Sequence, residues 1–342
     1  GAALQVQDDN EQYTTLAVAS QKHIGVNFTS AELTMQLDDF AERVLKPRVS
    51  QLASSVDADV ASVYKSIYNA VGTPGTTPST SAVLLAAQQK LNEFATPMSP
   101  RYATVNPAAN AGLVEGLKGL FNPTGTISRQ FKNGMMGEGV LGLDEINMSQ
   151  SIVQHTTGVT PTAPIVATAV STQGATSLDI SFTSGSPTFK IGDVFTIASV
   201  FAVNPQTRQT TGSLQQFVVT ADVTVSSNTT ATLSIQPPIY TSTNALATVN
   251  SFPAASAVLT FVGGSATAYP QNLIYHKDAI TLATADLLLP QGVDMASRQV
   301  HNGISLRIVR QYDINNDRMP CRVDVLYGFA AIRPVTAVRL WG

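Results

Sequence analysis

Apolar positions near the start of the chain recur in two different rhythms. Residues 11–28, EQYTTLAVASQKHIGVNF, have extended character. Thr29 and Glu32 then stand three apart, the spacing of a capping box that satisfies free N–H groups at a helix start. Behind them a single stripe runs through Leu33, Leu37, Phe40, Val44, Leu45, Val49, Leu52, Val56, Val60, Val63 and Ile67. Steps of three and four predict one helix reaching about Ala70 and stopped by Gly72 and Pro74. Pro47 lies inside it and predicts a kink, since its ring clashes with the preceding turn. About 40 residues at 1.5 Å each make a rod of roughly 60 Å, far longer than an ordinary globular helix.

Shorter elements follow. GTPGTTPSTS (72–81) is a loop by composition, and SAVLLAAQQKLNEFA (81–95) is a helix stopped by TPMSP. RYATVNP (101–107) predicts a strand, and AANAGLVEGLKGLF (108–121) a helix weakened by three glycines. The character changes near Thr156. Between Thr160 and Tyr269 the only charged residues are Asp179, Lys190, Asp193, Arg208 and Asp222. Period-two runs such as FTIASVFAV, FVVTADVTV and ATLSIQ alternate there with turn clusters, predicting an all-β unit of about 110 residues, a small barrel or sandwich. Beyond Pro270, HKDAITLATADLLLP predicts a short helix, and long strands are expected from Gly303 onward. The run Val323–Ala331 reads as a buried strand that Arg333-Pro334 ends, because proline cannot donate to a central ladder. An α/β host interrupted by a β insertion is the expected plan.

Composition adds constraints rather than a function. Of 342 residues, 44% are hydrophobic and only 13% charged, so much of the surface is neutral or covered by partners. A net charge of -3 offers no basic field for gripping nucleic acid. Cys321 is the only cysteine, which excludes an internal disulfide, and its place beside a strand predicts a small core residue. No apolar run is long enough for a transmembrane helix. The start, GAALQVQDDNEQ, has no Met and no signal-peptide pattern, so residues ahead of Gly1 are expected to have been removed or omitted.

The candidate chemistry is thin. Gly137, Gly139 and Gly142 match G-x-G-x-x-G, but LDEINMSQS after them reads as strand, so a turn between elements is favoured over a nucleotide site. His23, His155, His276 and His301 lack metal-ligand spacing, and no G-x-S-x-G nucleophile elbow occurs. No catalytic, metal or cofactor site is expected.

Four segments carry a resemblance: GVLGLDEINMSQSIVQHTTG (139–158), NLIYHKDAITLATADLLLP (272–290), GISLRIVRQYDINNDRMPCRVDVLYG (303–328) and FAAIRPVTAVRLWG (329–342). In these words and their order the chain resembles the major capsid (coat) proteins of tailed double-stranded-DNA phages. It is most similar to the short-tailed-phage type with an inserted β-barrel. The resemblance implies an α+β, Hong Kong 97-like fold: a long spine helix and long antiparallel sheet, an axial α/β domain, and the inserted barrel. Carried onto this chain, 1–30 would be the returning part of the extended loop with a peripheral strand, and 31–75 the spine helix. Residues 76–156 would be the axial domain, 157–269 the barrel, and 270–342 a closing helix and strands. Only about 30 residues precede the helix, fewer than that family's arm and extended loop occupy.

The implied function is a structural subunit that self-assembles into hexamers and pentamers. These would form an icosahedral shell around packaged double-stranded DNA, without catalysis or sequence-specific binding. Scaffolding and portal proteins, and room for a decoration protein, come with it, as do a place in the virion and assembly in the host bacterial cytoplasm. No membrane is implied. An encapsulin-like shell and a surface-binding, adhesin or decoration, β module are the alternatives. For subunit contacts, Asp38, Asp39, Glu42 and Arg43 lie on the helix's polar face, where pairing with a neighbour and plain solvation are equally expected. Arg333 and Arg339 are expected to meet a neighbour's carboxylates, and Trp341 to seal a contact at the subunit rim.

Overall fold

The computed structural model describes residues 13–29, 46–117, 134, 136–226, 229–301 and 303–342. Two compact units form, one from Gly1–Leu52 with Thr281–Ile332 and the other from Ala53–Ile280 with Arg333–Gly342.

The first unit is a sheet ordered Ser20–Val26, Cys321–Ala331, Ile304–Arg310, Met295–His301, with Ile280–Ala285 also paired to the Cys321–Ala331 strand. Its ladders along the first order are antiparallel. The Cys321–Ala331 strand lies in the middle, which buries Val323, Val325 and Tyr327. Ile280–Ala285 is a strand where the sequence predicts a helix. Alanine and leucine favour a helix there, but β-branched Ile280, Thr281 and Thr284 suit a ladder, and pairing with the central strand decides.

Helix α1 covers Lys46–Ala61, so the division at Leu52 falls within it, and in the second unit it tightens into a 3-10 turn over Ser62–Ser66. Pro47 sits in the first turn of this described helix, where its missing N–H costs little. The expected start near Thr29 lies outside the described residues. The expected end at Ala70 is corrected: Ile67 is already extended, and Ala70–Val71 joins a sheet. Val63, Tyr64, Ile67 and Tyr68 are buried, so the apolar stripe continues past Ala61 for tertiary reasons rather than helical ones.

That sheet runs Ala70–Val71, Ala337–Leu340, Asn272–His276, Arg101–Val105, Leu143–Met148, Gly137–Val140. Helices α2 (Ser81–Glu93) and α3 (Pro107–Leu117) lay Leu84, Ala87, Leu91, Ala109 and Leu113 against Ala103, Ile146, Ile274 and Val338. The GEGVLG glycines fall in a hairpin whose turn residues Leu141 and Gly142 both have positive φ.

Between the host strands Leu143–Met148 and Asn272–His276 stands a six-stranded sheet with its own core of Phe189, Phe195, Phe217, Leu233, Ile235 and neighbours. Its edge strands are Ile165–Val166 and Leu259–Phe261. Leu259 N–H donates to Pro164 O and Val166 N–H to Ala257 O, both at 2.9 Å, and Ile165 bridges Val258. The two edges therefore meet, and the sheet is nearly closed.

Candidate functional site

The chain enters and leaves this β unit through paired strands, Gln154–Thr156 against Ala268–Pro270, with His155 opposite Tyr269. The last strand, Ala337–Leu340, is clamped between Ala70–Val71 and Asn272–His276 in the same unit. These elements bring Tyr64, His155, Asp193, Tyr269, Arg339 and Trp341 together, although they are spread over most of the sequence.

Arg339 is 1% exposed. Its Nη1 donates to Gly192 O at 2.7 Å, and the guanidinium lies 5.1 Å from the centre of the Tyr64 ring. Nε and Nη2 meet no protein acceptor. By contrast, buried Arg101 donates to Gln88, Asn92, Pro97 and Thr96 at the end of α2 and is well satisfied. His155 Nε2 is 2.8 Å from Asp193 Oδ1, and its Nδ1 is 3.1 Å from the Tyr64 hydroxyl. Asp193 Oδ2 also accepts the Gly158 and Lys190 N–H groups at 3.1 and 2.8 Å.

Burial pulls the Arg339 pKa down to about 10, against opposing pulls from Tyr64, Tyr269 and Asp193, so the group keeps its charge at neutral pH. Burial, reinforced by Asp193, pushes the Tyr269 hydroxyl up to about 12. Tyr64 is raised chiefly by burial, with Arg339 opposing. A Tyr–His–Asp chain invites a catalytic reading. Yet both ring nitrogens of His155 and both carboxylate oxygens of Asp193 are engaged within the chain, and the cavity beside Asp193 measures about 10 Å³, room for a single water. The cluster is a polar seam between the β unit and its host.

Around the seam the packing is apolar. Trp341 is 2% exposed, stands edge-on to Tyr269 at 5.6 Å and donates Nε1–H to Pro270 O at 3.2 Å. It joins Tyr68 and Ala70 of the host with Val194 and Val218 of the β unit. Further along, the Gln216 amide bonds both the N–H and the C=O of Ala70, at 2.8 and 2.9 Å, as a neighbouring strand would. Glu93 at the end of α2 accepts the Ser213 hydroxyl through its carboxylate and Asn204 Nδ2 through its carbonyl. Gly192 has φ +103°, and a Cβ there would come within 3.2 Å of His155 and Tyr64. Gly192→Ala is therefore expected to cost about 2 kcal/mol in urea unfolding of the subunit.

A family model described as "P22 coat protein - gene protein 5" matches residues 10–342. The chain belongs to the P22 coat protein family. Its structural neighbours include a protein of Mycobacterium phage Che8, 12% identical, at a TM-score of 0.45 over 95% of this chain and 71% of that one. The capsid structure of cyanophage P-SCSP1u is 11% identical, at 0.42 over 99% and 80%. The I-domain of the CUS-3 coat protein is 25% identical, at 0.24 over 31% and 99%. Among curated proteins, none matches in sequence. This coat protein is a structural subunit of a phage capsid, built into a homo-oligomeric shell that is part of the virion.

The contact residues expected from the coat protein's sequence divide into three groups. Asp38, Asp39, Glu42 and Arg43 lie outside the described residues. Arg333 is exposed where the chain leaves the Cys321–Ala331 strand, as the following proline requires. Arg339 and Trp341 are not at a rim; both are enclosed by this chain's own residues. An arginine in an apolar strand reads as an edge residue, but here a carbonyl, a tyrosine face and a nearby carboxylate take the charge inside. Cys321 is buried, as expected, and burial raises its thiol pKa. From sequence alone His155 lacks metal-ligand spacing, and nothing pairs it with Asp193. The available signal was Asp193 itself, one of five charges in an otherwise uncharged stretch.

Proposed function

We propose that this coat protein follows the Hong Kong 97 plan, with residues 157–269 as an inserted β-barrel that braces the subunit. In this reading residues 1–30 are loop and peripheral strand, 31–75 the segment that holds the spine helix and ends in the Ala70–Val71 strand, 76–156 the axial domain and 270–342 the closing strands. Copies assemble into hexamers and pentamers, close an icosahedral shell on double-stranded DNA, and catalyse nothing. A scaffolding protein guides assembly in the bacterial cytoplasm, a portal protein occupies one vertex, and a decoration protein binds some shells.

The observation that carries the proposal is the family match over residues 10–342. The nearly closed β sheet and the buried seam support the bracing role, because a barrel tied to its host by Arg339, Trp341, Gln216 and Glu93 moves with it. Low surface charge suits a tile whose edges neighbours cover, and weak contacts suffice when symmetry repeats them. Asp38, Asp39, Glu42, Arg43 and exposed Arg333 remain proposed contacts with neighbouring copies.

Co-expression of the full chain with its scaffolding protein tests this reading. Closed particles of uniform size by electron microscopy and sedimentation are expected, and subunits that stay monomeric would overturn it.

A further inference from the structure

Single exposed leucines are common on folded proteins and mean little alone. Leu288 differs in how its backbone is held. It is 86% exposed in the segment between the Ile280–Ala285 and Met295–His301 strands. Arg307 Nη1 donates to Leu288 O at 2.6 Å, and Arg298 Nη1 to Leu287 O at 3.5 Å. Both arginines are themselves anchored, Arg307 on the buried Asp324 carboxylate at 2.7 Å and Arg298 on Asp286 at 3.3 Å. The loop is thus fastened to the sheet while its leucine faces water. Fixing a loop before contact lowers the ordering entropy a partner must overcome.

The partner is a second copy, since this coat protein builds a homo-oligomeric shell, and that copy meets a loop whose own carboxylates are already partnered. Each carboxylate near it is matched by an arginine: Asp286 by Arg298, Asp294 by Arg310 at 2.8 Å, Asp324 by Arg307 and Arg322. The Asp313–Arg318 turn, in the same unit, also holds an exposed apolar residue by bonds of its own. Asp313 accepts the Asn315 N–H at 3.0 Å and the Asn316 amide at 2.7 Å, while Ile314 between them is 81% exposed.

We propose that Leu288 is an inter-subunit anchor, presented by a pinned loop and received by a second copy of this chain. The proposal rests on the shell reading above. Replacing the leucine by a carboxylate removes the buried apolar area and puts a charge in its place.

The test compares the full chain with Leu288→Asp and Leu288→Met, measuring thermal unfolding of the unassembled subunit and shell formation with scaffolding protein. Leu288→Asp is expected to unfold at the parent's temperature but to associate about 10- to 30-fold more weakly, with Leu288→Met assembling normally. Normal assembly of Leu288→Asp overturns the anchor. A drop in its subunit unfolding temperature also overturns it, because the leucine is then covered within its own chain. A parent chain that never associates overturns the shell reading together with the anchor, so the two failures are distinguishable.

Discussion

Truncation of Trp341 to alanine is expected to destabilise the unassembled subunit by about 3–5 kcal/mol in urea unfolding followed by circular dichroism. Trp341 is among the largest fully buried side chains, and it touches host and β unit at once. Its loss leaves a void between Tyr68, Tyr269 and Val194 that the rigid sheets on either side cannot close, and it strands Pro270 O without its donor. Trp341→Phe keeps most of the apolar area and should cost about 1–2 kcal/mol, chiefly through the lost hydrogen bond. Because Trp341 is the only tryptophan, the parent's fluorescence should report a buried indole that turns to a water-exposed one on unfolding. Equal stability of parent and Trp341→Ala would mean that this residue does not join the two parts.

Asp324→Asn is the second large effect. The Asp324 carboxylate is fully buried in the first unit's central strand and accepts Arg307 at 2.7 Å and Arg322 at 2.5 Å. Removing one member of such a group leaves a desolvated cation behind, and about 3 kcal/mol is expected, the lower end of the range because Arg307 is partly exposed. Its pH dependence follows from the carboxylate. Burial alone would raise its pKa, but the hydrogen bonds and charges of Arg307 and Arg322 outweigh burial and hold it below the ordinary carboxylate value. The folded-state pKa is lowered, so the stabilisation is complete above the unfolded value of about 3.9 and is lost as pH falls through the lower folded value. Unfolding of parent and Asp324→Asn should therefore differ equally at pH 5 and pH 7 and converge below about pH 4. A difference that grew on acidification would contradict this assignment.

Local pattern carried the sequence reading where neighbours in the chain are also neighbours in space. SAVLLAAQQKLNEFA became α2, RYATVNP became Arg101–Val105, and FTIASVFAV and ATLSIQ fell in long strands of the β unit, whereas FVVTADVTV breaks after Val219 and resumes only at Val223–Thr224. It failed where a distant partner decides. Residues 62–71 look like more helix until Ala70–Val71 finds the last strand, nearly 270 positions away in sequence. HKDAITLATADLLLP looks helical until Ile280–Ala285 pairs with the central strand of the first unit. Arg339 looks like a rim residue until the Gly192 carbonyl and the Tyr64 ring, contributed by two other segments, are folded over it. The seam shares one cause with these misreadings: Tyr64, His155, Asp193 and Arg339 acquire their chemistry only from one another. A single chain with no spacing motif gives no sign that they meet.

Shell formation is the central claim, and an icosahedral cryo-EM reconstruction of particles from the full-length chain with its scaffolding protein tests it most directly. The account predicts closed shells made of rings of six and rings of five, each subunit carrying residues 157–269 as a folded unit held against its host. Particles without icosahedral order, or a subunit whose β unit is detached from the strand that ends at Trp341, would contradict it.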